Sequence, residues 1–189
     1  MVKKELRSVY KNKRAELSSD EIEVLSLEIN TTLLELLNQL TFQTLNCFLS
    51  SNEKGEVRTS SIINELLSQE KFISVPLSNY KSNSMQAVRF KKGELTAKDK
   101  FGIPVPTTIE IVPVKSIDIL IVPLLCFDKK GHRVGYGKGM YDRFLNNCKK
   151  DVVTIGLSLF EAIEEIIDVD ELDIPLNYVI CKTQVFKFG

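Results

Sequence analysis

The stretch Ile117-Asp-Ile-Leu-Ile-Val-Pro-Leu-Leu-Cys-Phe127, followed at once by Asp128-Lys-Lys-Gly-His-Arg-Val-Gly-Tyr-Gly-Lys-Gly-Met-Tyr-Asp-Arg-Phe144, decides the fold. Its first part is nearly all apolar and of strand length, the pattern of a β-strand buried on both faces. A glycine-rich connection follows, and Tyr141–Cys148 then reads as helix. Downstream, Val152–Leu159 predicts another buried strand, residues 160–167 a short helix and Tyr178–Phe186 a last strand. Upstream, residues 2–16 predict a basic helix with Val2, Leu6 and Val9 on one side. Ser18 and Glu21 form a capping-box pair ahead of a second helix, in which Ile22, Leu25, Ile29, Leu33 and Leu36 recur at three- and four-residue steps. Thr44–Leu49 reads as a strand and Ser50–Gly55 as a polar loop. Thr59 is the expected N-cap of a third helix bearing Ile62, Ile63, Leu66 and Leu67. Phe72–Leu77 and Met85–Phe90 read as strands, and Pro104, Pro106 and Pro113 mark residues 101–114 as irregular. Strands and helices alternate, which predicts one α/β domain over residues 1–189: a mostly parallel open sheet with helices on both faces.

Composition narrows the function. Lys+Arg and Asp+Glu both number 25, for a formal net charge of zero, which argues against bulk nucleic-acid binding. The balance hides an asymmetry between a basic segment, residues 1–14, and an acidic one, residues 161–173; a plain solvated face is one of two open readings of each. No apolar run approaches the roughly 18–20 residues of a membrane span, and no leader-like core opens the chain. Cys47, Cys126, Cys148 and Cys181 lie too far apart for a metal cluster or a small disulfide scaffold. A cytoplasmic protein with reduced thiols is expected. The single histidine, His132, excludes a multi-histidine zinc site.

The chemistry concentrates in the glycine-rich segment. Gly131, Gly135, Gly137 and Gly139 are four of the nine glycines, with Arg133 and Lys138 among them. Glycine removes the Cβ that keeps a ligand off the backbone, successive N–H groups can cradle anionic oxygens, and a following helix adds unpaired donors. Arg133 offers a planar fork and Lys138 a mobile point charge. The spacing matches neither standard nucleotide fingerprint. Walker A needs glycine where His132 stands, and G-x-G-x-x-G fails because Met140 follows Gly139. Residue patterns alone thus stop at an anion-binding loop, with a glycine-rich surface turn as the alternative.

The stretch Gly131-His-Arg-Val-Gly-Tyr-Gly-Lys-Gly-Met-Tyr-Asp-Arg-Phe144 resembles the signature of the 5-formyltetrahydrofolate cyclo-ligase family. Other pieces follow in family order: Lys3-Lys-Glu-Leu-Arg7, Phe48-Leu-Ser50 with Glu56-Val-Arg-Thr59, Met85 with Val88-Arg-Phe90, Gly102-Ile-Pro-Val-Pro106 and Asp173-Ile-Pro-Leu176. Met140 departs from the usual aromatic and Asn177 from a frequent acid. The resemblance covers essentially the whole chain.

That resemblance implies an ATP-dependent cyclisation of 5-formyltetrahydrofolate to 5,10-methenyltetrahydrofolate, with release of ADP and phosphate, through a phosphorylated formyl group and with Mg²⁺. It implies ATP contacts from Lys3, Lys4, Arg7, Arg133, Val134, Gly135, Tyr136, Gly137, Lys138, Gly139, Met140 and Tyr141. Lys138 and Arg133 would stabilise the transferring group. Leu49, Glu56, Met85, Tyr136, Gly137, Lys138, Gly139 and Met140 would meet the folate, and Asp142 and Asp173 the metal. Partners would be the two small substrates, without nucleic acid or membrane, in a monomer or weak homodimer. A non-catalytic ATP- or folate-binding protein and a nucleic-acid module on the basic helix are the competing classes.

Overall fold

The computed structural model describes residues 1–188. Along the chain run α1 (Lys3–Glu16), α2 (Ser19–Leu37), β1 (Thr44–Asn46), α3 (Ser60–Ser68), β2 (Phe72–Asn79), β3 (Ser84–Phe90), β4 (Thr96–Lys98), β5 (Pro104–Pro106), β6 (Ile111–Val112), β7 (Ile119–Pro123), β8 (Cys126–Phe127), β9 (Arg133–Val134), α4 (Met140–Leu145), β10 (Val153–Ser158), β11 (Tyr178–Cys181) and β12 (Gln184–Lys187). The capping box opens α2 as its residue types require: the Glu21 N–H donates to Ser18 Oγ, and Glu21 Oε2 accepts from the Ser18 N–H.

The main sheet has eight strands in the order β12-β11-β10-β7-β1-β2-β3-β6. Its five central strands, β11 to β2 in that order, pair in parallel, and the outer pairings are antiparallel. Side chains alternate across the sheet. Ile119, Ile121 and Ile155 face a layer formed by Ile29 and Leu33 of α2 and Ile63 and Leu66 of α3. Leu120 and Val122 face the other way, onto Phe144 and Leu145 of α4. Helices therefore cover both faces, as the alternation predicts. A third cluster seats α1 on the loop region, where Leu6 and Tyr10 pack with Leu125, Cys126, Val134 and Ile166.

Four local expectations differ from the structure. The long apolar run breaks at Pro123, which has no N–H to continue a ladder; Cys126–Phe127 then turns back against Arg133–Val134. The glycine-rich segment therefore begins with a short strand. Residues 160–167 form no helix, because their backbone is drawn onto β8: the Ile163 N–H donates to the Phe127 carbonyl at 2.9 Å, and the Lys129 N–H to the Ile163 carbonyl at 3.2 Å. The last predicted strand is a hairpin, β11–β12. Thr59 makes no side-chain cap; its buried hydroxyl donates instead to the Phe48 carbonyl at 2.7 Å.

The two charged segments meet. Asp168 Oδ1 accepts the Lys3 N–H at 2.7 Å at the start of α1, where the helix dipole favours an anion. Glu164 and Glu165 pair with Lys129 and Lys130. The net charge of zero is thus partly an internal neutralisation between distant segments.

Candidate active site

The glycine-rich segment leaves the carboxyl end of the central strand β7, the edge at which open α/β sheets bind ligands. Asp128 fixes its entry. Fully buried, its carboxylate accepts from the N–H groups of Lys130, His132 and Ile166 and lies 3.2 Å from His132 Nδ1. His132 is thereby part of the turn's scaffold. Gly137 has φ +93°, and a Cβ there would lie 3.0 Å from Arg7 Nε. Only glycine gives this backbone conformation while admitting the guanidinium so close.

Charged contacts knit the two ends of the chain to each other and to the segment. Lys3 Nζ is bonded to the Asp173 carboxylate. Arg7 Nε donates to the Gly135 carbonyl at 2.9 Å. Arg133, its side chain 7% exposed, donates to Asp142 Oδ1 at 2.7 Å and to the Ile174 carbonyl at 2.5 Å. Burial opposes ionisation of Asp173, but bonds from Lys3 and from the Asp170 N–H, with the charge of Arg133, hold its carboxyl below the ordinary value. Asp142 also accepts the Ile174 N–H at 3.3 Å, so the two carboxylates share one neighbourhood.

Asp142 Oδ2 and Asp173 Oδ1 accept no hydrogen bond among the described residues. Two free carboxylate oxygens are hard donors of the kind Mg²⁺ takes, with phosphate oxygens and waters completing its shell. Among the described residues no group of three or more His, Cys, Asp or Glu could hold a metal by itself.

Lys138 is exposed, and its Nζ lies 5.1 Å from the ring centre of Tyr80 and 5.0 Å from that of Phe101. Arg143 donates to the carbonyls of Lys138 and Asn83, tying the loop to the β2–β3 turn. Tyr136 turns toward the 51–56 segment. Its hydroxyl donates to Glu56 Oε1 at 3.0 Å and accepts from Arg14 Nη1 at 3.1 Å. Burial first, and then the Glu56 charge, raise its phenol well above the ordinary range. Beside it lies a cavity of about 610 Å³ whose lining includes Lys11, Arg14, Lys54, Leu125 and Tyr136, a size that suits a small-molecule ligand.

Of the residues singled out in the sequence, the structure brings together Lys3, Arg7, Arg133, Gly135, Gly137, Asp142 and Asp173, and separately Glu56 with Tyr136. Lys4 is exposed and makes no hydrogen bond to the loop. Val134 is fully buried under α1, which leaves only its backbone toward the loop. Met85 and Tyr141 each pack against the core on the α4 side of the sheet, while Leu49 packs on the side of α2 and α3. Gly139 and half-buried Met140 start α4. Sequence reasoning missed Arg14, Tyr80, Phe101 and Arg143. Arg14 had one signal, a position two helical turns beyond Arg7 on the same face; the others had none.

An open α/β sheet carrying a cation-lined glycine loop at the carboxyl end of its central strands is the class of protein that this fold and site define. Within that class, the chain belongs to the 5-formyltetrahydrofolate cyclo-ligase family, whose model matches residues 1–182. It is 30% identical to the 5-formyltetrahydrofolate cyclo-ligase of Mus musculus, with 94% of this chain and 92% of that one covered. It is 29% identical to that of Haemophilus influenzae, with 92% and 94% covered. The NMR structure of Aquifex aeolicus 5,10-methenyltetrahydrofolate synthetase superposes with a TM-score of 0.79 at 30% identity, over 99% of this chain and 93% of that one. A 5,10-methenyltetrahydrofolate synthetase from Mycoplasma pneumoniae shares the fold, with a TM-score of 0.75 at 21% identity, over 97% of this chain and 100% of that one. The chain is an enzyme, a ligase of this family.

Proposed function

We propose that the protein converts 5-formyltetrahydrofolate and ATP to 5,10-methenyltetrahydrofolate, ADP and phosphate. The N5-formyl oxygen attacks the γ-phosphorus, ADP leaves, and the formyl carbon becomes an imidate phosphate. N10 then attacks that carbon and gives up its proton, and the carbon–oxygen bond breaks as phosphate departs. Little covalent work falls to the protein in such a sequence; its tasks are positioning and charge neutralisation.

One observation supports this assignment of roles: Arg7 of α1 lies on the Gly135 and Gly137 backbone, Lys3 of the same helix pairs with Asp173, and Arg133 of the segment bonds the neighbouring Ile174 carbonyl and Asp142. In this reading the main-chain N–H groups of Gly135, Gly137, Lys138 and Gly139 and the cations Lys3, Lys4 and Arg7 hold the triphosphate. Lys138, exposed and with its side chain held only by aromatic contacts, follows the transferring phosphoryl group. Arg133 keeps Asp142 oriented and adds fixed positive charge. Asp142 and Asp173 would hold Mg²⁺, which supplies charge neutralisation at the phosphates. Glu56 accepts hydrogen bonds from the pterin, while Tyr136, Met140, Met85 and Leu49 offer apolar surface to the folate rings.

The test is a paired assay. Purified protein with Mg-ATP and 5-formyltetrahydrofolate should generate the methenyl chromophore and ADP in equal amounts, and neither without ATP. Folded protein at high concentration that yields neither product refutes the reading; ADP without chromophore refutes the cyclisation.

A further inference from the structure

Arg14 is only 5% exposed. Among the described residues no carboxylate lies within ion-pair distance of it, and its Nε has no hydrogen-bond partner. Burying a guanidinium without a counter-charge is costly, and a methionine would fill the same space. The cost is matched by a contact that an apolar side chain cannot make.

A guanidinium only donates. Arg14 Nη2 donates to the Leu124 carbonyl at 2.7 Å, and Nη1 to the Tyr136 hydroxyl at 3.1 Å. The hydroxyl carries one proton. With Arg14 on its lone pair, that proton goes to Glu56 Oε1, 3.0 Å away. Glu56 Oε2 accepts the Ser51 N–H at 2.9 Å. The relay therefore runs in one direction only, from Arg14 through Tyr136 to Glu56. Each Glu56 oxygen retains a lone pair for a further donor.

We propose that Arg14 is a positioning residue for the folate: through the Tyr136 hydroxyl it holds Glu56 as an acceptor aimed at the N–H donors of the pterin ring. This rests on the cyclo-ligase reading. The pterin's amino group and ring N–H require an acceptor, and a Tyr136 hydroxyl released from Arg14 is free to turn its proton away from Glu56.

The test uses Arg14→Met, Arg14→Lys, Tyr136→Phe and the double variant Arg14→Met/Tyr136→Phe, assayed by chromophore formation. Arg14→Met and Tyr136→Phe are each expected to raise KM for 5-formyltetrahydrofolate about tenfold and to leave KM for ATP within about twofold. The double variant should be no worse than the weaker single variant by more than about twofold, because both substitutions break one relay. Arg14→Lys, which retains a donor, should recover part of the loss. Multiplying effects in the double variant, or equal rises in both KM values, would overturn the proposal. Should Arg14→Met fail to fold, Tyr136→Phe decides alone, and an unchanged folate KM overturns the proposal. An inactive wild-type protein would instead refute the cyclo-ligase reading itself.

Discussion

The Lys138 side chain differs from those of Lys3, Arg7 and Arg133 in having no polar partner among the described residues; it rests against two aromatic rings. Such contacts are worth about 0.5–1 kcal/mol at exposed sites. Lys138→Ala should therefore cost about 1 kcal/mol of stability or less, while turnover falls by about a hundredfold or more; paired melting and kcat measurements check both numbers, and equal damage to each would deny Lys138 its catalytic role. Gly137→Ala should also cut turnover but cost more than about 1 kcal/mol of stability, since the added methyl opposes a φ of +93° and crowds Arg7. The loop as a candidate site was legible in sequence because its residues are neighbours there, so glycine, cation and carboxylate types report directly on one another. The Arg14–Tyr136–Glu56 relay was not, because its members stand 122 and 80 positions apart. No residue type announces a partner at that distance.

The elements obey local rules well where their hydrophobic period is long, and poorly where tertiary contacts outbid it. The capping box of α2 was readable, and Ser18→Ala should lower stability by about 1 kcal/mol with kcat unchanged, as chemical denaturation and assay can show. Residues 160–167 were misread because nothing in them reveals that β8 will capture their backbone. Asp118, just before β7, ties the start of β1 to the loop ahead of β10 at the far end of the sheet. It accepts the Gln43 and Thr44 N–H groups at 2.7 and 2.9 Å and pairs with Lys149 at 2.6 Å. Burial works against its charge, but those bonds prevail and hold its pKa below the ordinary 3.8. A carboxyl depressed on folding stabilises the native state above its unfolded pKa, and that contribution fades as pH falls through the folded value. The stability gap between wild type and Asp118→Asn should thus be constant from about pH 8 to 5 and close below about pH 4, as melting series across pH would register. A gap that persists in acid would show that the side-chain geometry, not its charge, matters.

At the scale of the molecule, the parallel centre and two-sided helical cover were legible from the alternation of elements. The antiparallel edges and the docking of the acidic segment on α1 were not, because they depend on which distant surfaces meet. That docking predicts a coupled response. Binding of a non-hydrolysable ATP analogue should slow amide exchange at the start of α1 and around residues 170–176 together, by similar factors, with residues 91–100 unaffected. Protection confined to one of the two segments would contradict a site completed from both.

The Lys3–Asp173 contact also sets an order of events during synthesis. At about 5–20 residues per second, the ribosome presents α1 many seconds before the segment that completes its site. Until the acidic segment has emerged, Lys3 has no carboxylate to meet and the apolar face of α1 lacks Ile166 from its seat. α1 is thus made well before the residues that complete its contacts, and a nascent chain has the parts of the proposed site long before it has the site.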